Sequence, residues 1–268
     1  MQRISSKDNN LIKHLKKLKE KKYRDEYGEY TVEGIKLVKE AFKEKANIKQ
    51  LIICDGCNSE IIESHLKYEM AKFDFVYVPE NIFKMISNVD NPQGVLAVIG
   101  KNTIDTANKD NISLTDDIIL ALDDIQDPGN LGTILRTADS VGLKQILISK
   151  GTADPYNPKV VRSTMGAIFR INIIECDNLK EILEYLHEKN YKIMCTSLEA
   201  KKTIYQTNYN KKVIVIGNEA NGVSKDIQKM ADEKVIIPML GKTESLNASV
   251  ATGVILYEYV RQKLIWFF

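Results

Sequence analysis

IIPMLGKTESLNASVATGVILYEYV, residues 236–260, decides how this chain reads. It opens as a short apolar strand ending at Pro238 and crosses a polar turn, Gly241-Lys242-Thr243-Glu244-Ser245. From Leu246 it enters a long run with helical spacing. A loop joining the end of a buried strand to the start of a helix is where α/β proteins hold ligands. The strand ends in a crevice there, and the helix presents unpaired N–H groups. Spacing gives Ser245 and Asn247 two compatible readings, as caps of the last helix or as ligand contacts. The core face of that helix reads as Leu246, Val250, Val254 and Tyr257.

Upstream, Val213-Ile214-Val215-Ile216 is a continuous apolar strand that breaks into Gly217-Asn218-Glu219-Ala220-Asn221-Gly222-Val223-Ser224. Two glycines five apart before a serine look like a phosphate loop. The lysine that would reach the phosphates is missing, with Val223 in its place, and GxGxxG occurs nowhere in the chain. These absences argue against a nucleotidase and a nicotinamide enzyme. What survives is a loop whose glycines let backbone approach a ligand, with Glu219 inside it. Ser245 has neither a GxSxG elbow nor a paired histidine, so a serine hydrolase is unsupported.

Further upstream, Ile118-Ile119-Leu120-Ala121-Leu122 runs into a polar loop ending at Asn130. Leu131, Ile134, Leu135 and Ala138 then form a helical core stripe. Gly132 and Arg136 lie one turn apart on another face, near the positive end of the helix, where an anion such as a phosphate would suit. The plainer reading makes Asn130 an N-cap and Arg136 a surface charge, and spacing alone leans that way.

The 268 residues suffice for one large or two modest domains, and 44% apolar content for a sizeable core. Residues 1–100 alternate strand and helix and carry no catalytic cluster; His14 and His65 lack neighbouring acid or thiol partners. Residues 101–115 are polar and aperiodic, which marks a linker. No apolar run reaches the ~18 residues of a membrane span, and the N-terminus has no signal-peptide core. The expectation is a cytoplasmic chain. Net charge is only +2, yet residues 1–24 hold nine Lys/Arg against Asp8 and Glu20. Such a stretch contacts phosphate or is merely a solvated face. Cys54-Asp55-Gly56-Cys57 has no second ligand pair for zinc; a redox role is open, and the plainer reading is a turn after the strand, with reduced, structural thiols.

Three motifs occur in order: Asp127-Pro128-Gly129-Asn130-Leu131-Gly132 with Arg136; Gly217-Asn218-Glu219 with Gly222; and Ile237-Pro238-Met239 with Glu244-Ser245-Leu246-Asn247 and Ser249. Over about residues 117–261 the chain resembles the SpoU (TrmH) RNA ribose 2′-O-methyltransferases of the SPOUT superfamily. Arg162-Ser163-Thr164-Met165-Gly166-Ala167 resembles a further family stretch. Residues 1–100, notably Val32-Glu33-Gly34, resemble the family's L30e-like substrate-binding domain. The resemblance implies an α/β chain: an L30e-like domain at 1–104, a linker at 105–116, and a methyltransferase domain at 117–268 with a parallel sheet and a C-terminal trefoil knot. It implies S-adenosylmethionine at Gly217, Ile237 and Leu246, and an active site of Arg136, Asn130, Glu219, Ser245 and Asn247. It also implies a homodimer that completes each site, with the last helix and Trp266-Phe267-Phe268 covered at the interface, and no metal.

The implied chemistry is attack of a ribose 2′-oxygen on an activated methyl. A guanidinium keeps its proton up to a pKa above about 12, so Arg136 suits holding the adjacent phosphate and the developing oxyanion better than acting as base, and the base role stays open. Glu219 would fix Arg136 or another donor. The expected substrate is 23S ribosomal RNA. A tRNA methyltransferase and a non-catalytic ribosome assembly factor are the alternatives, the last distinguished by failure to bind S-adenosylmethionine.

Overall fold

The computed structural model of the chain describes residues 2–57, 59–71, 73–101 and 109–265. The first hundred residues give β1 (Gln2–Arg3), α1 (Asn10–Lys17), α2 (Lys21–Tyr27), β2 (Glu29–Glu33), α3 (Ile35–Lys43), β3 (Ile48–Asp55), α4 (Ser59–Met70), β4 (Phe75–Pro79), α5 (Glu80–Ile86) and β5 (Val95–Gly100). There follow β6 (Ile118–Asp123), α6 (Pro128–Ser140), β7 (Gln145–Ser149), α7 (Pro158–Ser163), β8 (Asn172–Cys176), α8 (Leu179–Glu188), β9 (Lys192–Thr196), β10 (Lys202–Thr203), β11 (Lys212–Gly217), α9 (Lys225–Met230), β12 (Glu233–Ile236) and α10 (Ala248–Ile265). Two compact units result, Met1–Thr103 with Tyr156–Phe169, and Ile104–Pro155 with Arg170–Phe268. Among the described residues no helix is long and apolar enough to cross a membrane.

The first unit is a five-stranded mixed sheet in the order β1-β4-β3-β5-β2. The narrow stripe of the basic N-terminal segment, Ile12, Leu15 and Leu18, is fully buried with Val76, Phe83 and Ile86. Burial of that stripe explains why so basic a segment is ordered, while most of its lysines stay exposed and Lys19 donates to the Ser87 carbonyl at 2.6 Å. His14 does have an acidic partner: its Nε2 lies 2.7 Å from Glu29, supplied from fifteen residues away by the fold. The Cys54-Cys57 expectation also needs correction. Gly56, at φ +89°, makes the anticipated turn, but this brings the two Cα atoms to 5.3 Å and the cysteines form a disulfide. The α7 segment belongs to this unit, with Tyr156 packed on Tyr30 at 4.8 Å between ring centroids.

The second unit is a seven-stranded, wholly parallel sheet ordered β10-β12-β9-β11-β6-β7-β8. β6 and β11 are buried along their entire length, which is why they read as unbroken apolar runs. β6 lies beside β11 with Asp123 opposite Gly217. From β6 the chain builds β7 and β8 on one side, then crosses to place β9, β11 and β12 on the other. The carboxyl ends of β6 and β11 therefore flank a topological switch point. Just before β6, Ile112 enters the core, Ser113 pairs with the Gln145 side chain, and the Tyr191 hydroxyl donates to the Leu114 and Asp116 carbonyls.

One expectation about α10 is reversed. Val250 and Tyr257 are 51% and 54% exposed, and Ala248, Thr252, Ile255, Leu256 and Tyr259 are buried instead. The helix is apolar around much of its circumference, so periodicity does not single out the face that packs on α6. The terminal Trp266, Phe267 and Phe268 lie outside the described residues.

Candidate active site

Three loops leave the carboxyl ends of β6, β11 and β12, and they meet at the switch point. After β6 the chain passes through Gln126 and Asp127 into α6. Asp127 is the N-cap, accepting from the Asn130 N–H at 2.7 Å, and Pro128 opens the helix. Asn130 is thus one turn inside the helix and not the cap. Its side chain, 9% exposed, is free to point at the neighbouring loops.

The loop after β11 closes on itself. Asn218 and Gly222 exchange backbone hydrogen bonds of 3.1 and 2.9 Å. A Cβ on Gly217 would fall 2.1 Å from the Gly222 carbonyl carbon and the Val223 nitrogen. Glycine at 217 is therefore required by the loop's own backbone. The Asn218 side chain accepts from Ala220 and Asn221 N–H and donates to the Asp124 carbonyl, and Asp123 accepts from Ser224 N–H. These bonds tie the β6 and β11 loops and leave Glu219 projecting between them.

The loop after β12 ends at Asn247, which does cap α10: its Oδ1 accepts from Ser249 N–H at 2.9 Å and from Ser249 Oγ at 2.7 Å. The same side chain donates through Nδ2 to Asn130 Oδ1 at 2.9 Å. Asn130 Nδ2 in turn donates to Glu219 Oε1 at 2.8 Å. A polar relay, Asn247 to Asn130 to Glu219, so links all three loops. Partial burial works to push the Glu219 carboxyl up, but the Asn130 bond and those from backbone N–H groups outweigh it and hold it below the usual carboxylate range. Glu219 is then an anion at neutral pH, and both amides have a fixed orientation.

Beside the relay is a cavity of about 820 Å³, within the range of small-molecule sites (about 300–1,000 Å³). Gly217, Glu219, Ile237, Ser245, Leu246 and Asn247 all line it. Arg136 stands apart from both relay and lining. It is on the exposed face of α6 and has no hydrogen-bond or ion-pair partner among the described residues. Glu219 holds Asn130 and not Arg136. The other arginine near this helix, Arg170, is bound to Asp139 through bonds of 2.9–3.1 Å. Burial pushes the Cys195 and Cys176 thiols up to about 11 and 12, so neither is a thiolate at neutral pH.

Sequence reasoning missed Asp123 and Asn218 as builders of the site. Both are 8% exposed polar residues at strand ends, and that placement, polar groups directly after an apolar run, was the available signal.

Residues 117–257 match the SpoU rRNA methylase family, and residues 9–97 match the MRM3-like substrate binding domain. The chain is 31% identical to a 23S rRNA (guanosine(2553)-2′-O)-methyltransferase, RlmP, of Bacillus subtilis, over 96% of this chain and 98% of that protein. It superposes on an AdoMet-bound rRNA methyltransferase of Sinorhizobium meliloti with a TM-score of 0.83 at 30% identity, covering 97% and 98% of the two chains. A TrmH-family RNA methyltransferase structure from Porphyromonas gingivalis gives 0.81 at 30% identity, covering 95% and 98%.

Proposed function

The chain belongs to the SpoU rRNA methylase family, and from this we propose that it transfers a methyl group from S-adenosylmethionine to a ribose 2′-hydroxyl of 23S ribosomal RNA, in the cytoplasm. The observation that carries the reading is the relay of Asn247, Asn130 and Glu219 across three loops at one rim of a ligand-sized cavity. We assign substrate binding to residues 1–104, a connection to 105–116 and methyl transfer to 117–268, whose last segment would form the trefoil knot.

The cavity fits the donor. Gly217, Ile237 and Leu246 would hold it, on backbone fixed by the Gly217–Gly222 closure and by the Asn247 cap. S-adenosylmethionine, when bound, supplies a methyl carbon on a sulfonium, which needs no further activation. The protein's own task is to align a 2′-oxygen and to stabilise it as it loses its proton. Arg136, permanently charged and unpaired among the described residues, would hold the adjacent phosphate and offset the developing negative charge. Glu219 sets the Asn130 amide, and Asn130 sets Asn247, which lines the cavity in a fixed orientation, with Ser245 lining it beside Leu246.

The exposed face of α10 supports a homodimer that completes each site. Val250, Tyr257 and Leu264, spaced seven apart, are each about half exposed on one stripe. Arg136, on the exposed face of the helix α10 packs against, would then meet substrate held partly by the second protomer.

The direct test is incubation of the protein with labelled S-adenosylmethionine and, separately, undermethylated 23S ribosomal RNA and tRNA. Label in 23S RNA is the expected result. Label in tRNA alone would replace the substrate, and no label in either would defeat the reading.

A further inference from the structure

Two motifs take no part in the methyl-transfer site: Val32-Glu33-Gly34, and the Arg162–Ala167 stretch. They converge on one cavity of about 330 Å³ inside the first unit, formed where α3 begins, where the 89–93 loop passes, and where α7 ends.

The cavity has an apolar part and a donor-rich part. Leu37, Val89 and Met165 supply the apolar surface. Met165 is an exposed thioether held at φ +52°, a left-handed conformation that a long side chain seldom adopts. Arg162 makes a single long hydrogen bond, 3.4 Å to the Asn88 carbonyl, which leaves most of its guanidinium N–H groups free. Lys36 has no partner among the described residues. The Gln93 side-chain oxygen is occupied by the Ile35 N–H at 2.9 Å, and its NH₂ group has no partner among the described residues.

Two acids line the cavity, Glu33 and Glu40, and Glu40 lies 3.7 Å from Lys43. Glu33 accepts from the Ser87 hydroxyl at 2.6 Å and from the Asn88 N–H at 2.8 Å. Its carboxylate pins the loop that carries Val89 and Gln93. At Gly34, φ is +102°, and a Cβ would lie 3.1 Å from the Gln93 side-chain oxygen. The turn therefore needs glycine, and the same geometry fixes Gln93. What remains available to a ligand is a slot of small-molecule size with an apolar wall, the remaining N–H groups of Arg162 and Gln93, and the Lys36 ammonium.

We propose that this cavity receives one unstacked nucleotide of the RNA substrate, distinct from the nucleotide that is methylated. Its base would stack on Met165 between Leu37 and Val89. Its acceptor-rich edge, such as guanine O6 and N7 or the uracil carbonyls, would meet Arg162 and the Gln93 NH₂ group. Lys36 at the mouth would contact the phosphate. The cavity thereby lets the substrate-binding unit select RNA by an extruded base, in addition to any general attraction by the basic N-terminal segment. The inference rests on RNA being the substrate.

The test uses the full chain and an undermethylated 23S ribosomal RNA transcript in filter binding across a salt series. The variants are Met165→Gly, which the positive φ accommodates, Arg162→Gln and Lys36→Gln. Thermal midpoint and S-adenosylmethionine affinity, measured alongside, should match the wild type. Met165→Gly is expected to weaken RNA binding about fivefold, as loss of a sulfur–ring contact does, without changing the salt slope. Lys36→Gln is expected to lower the slope by about one. Arg162→Gln is expected to weaken binding about tenfold. If folded variants bind within twofold of wild type, the cavity is not an RNA site and the inference is overturned while the methyltransferase reading stands. If the wild type binds no RNA, the functional reading fails and takes the inference with it.

Discussion

Replacing Asn130 with alanine should cut the side-chain link between the β12 loop and Glu219 in the candidate active site, while the β6 and β11 loops stay tied through Asn218 and Asp123 and the fold is spared. The side chain donates to an ionised Glu219 at 2.8 Å and accepts from Asn247 at 2.9 Å. A hydrogen bond to a charged group contributes about 1.5–3 kcal/mol and a neutral one about 0.5–1.5 kcal/mol. The partly exposed setting puts both near the low end, for a combined effect of about 2 kcal/mol. If this is spent on alignment in the transition state, kcat falls roughly 30-fold. The assay is turnover at saturating S-adenosylmethionine and RNA, with cofactor affinity measured by calorimetry and expected to change less than threefold, since Asn130 does not line the cavity.

Asn130→Asp sharpens the test. It places a second carboxylate against Glu219, and like charges at that distance cannot both ionise freely. Its turnover should be lower than that of Asn130→Ala at pH 8 and should recover relative to it as pH falls and the pair gains a shared proton. In the wild type the sign is opposite. Glu219 is held below its usual range, so its contribution is present above the ordinary carboxylate pKa and is lost as pH falls through the lower, folded value. An Asn130→Ala enzyme with wild-type kcat, or an Asn130→Asp enzyme without this pH dependence, would refute the relay.

Arg136→Ala should keep cofactor affinity and lose turnover by at least about a hundredfold, and a fully active variant would remove Arg136 from the site. Val250→Asp combined with Tyr257→Asp should give a monomer in sedimentation velocity, with turnover lost; a wild-type dimer would show that this stripe is not the interface. Glu233→Gln should lower the thermal midpoint by ~10 °C, because the fully buried Lys212, 2.7 Å from Glu233, loses its counter-charge at a cost of about 3–5 kcal/mol. Burial acts to raise the Glu233 carboxyl, but hydrogen bonds from Lys202, Lys212 and Thr207 bring it down to about 2. Its stabilising contribution is therefore full above about pH 4.5 and lost from there down toward pH 2, a window that wild-type unfolding measured against pH should show and Glu233→Gln should lack.

The parallel core was legible because strands buried on both faces must read as unbroken apolar runs, as β6 and β11 do. The three site loops were legible for a related reason: polar and glycine residues follow those runs abruptly. Spacing could not show which loop meets which. Glu219 lies 89 residues from Asn130, and Asn130 lies 117 from Asn247; only the order of strands in the sheet makes them neighbours. The same limit hid the His14–Glu29 pair. The exposed face of α10 was misread for another reason: a helix apolar on more than one side satisfies two faces with one pattern, and sequence does not say which the chain itself covers. The Cys54–Cys57 bond turned on a single backbone conformation, the positive φ of Gly56.

The chemical position of the transferred label distinguishes a ribose 2′-oxygen from a base as the methyl acceptor. After reaction of 23S ribosomal RNA with methyl-labelled S-adenosylmethionine, exhaustive alkaline hydrolysis cleaves every linkage that has a free 2′-hydroxyl. Label is expected only in an alkali-resistant dinucleotide, because a methylated 2′-oxygen cannot attack its neighbouring phosphate. Label released in mononucleotides would place the methyl on a base and contradict ribose methylation.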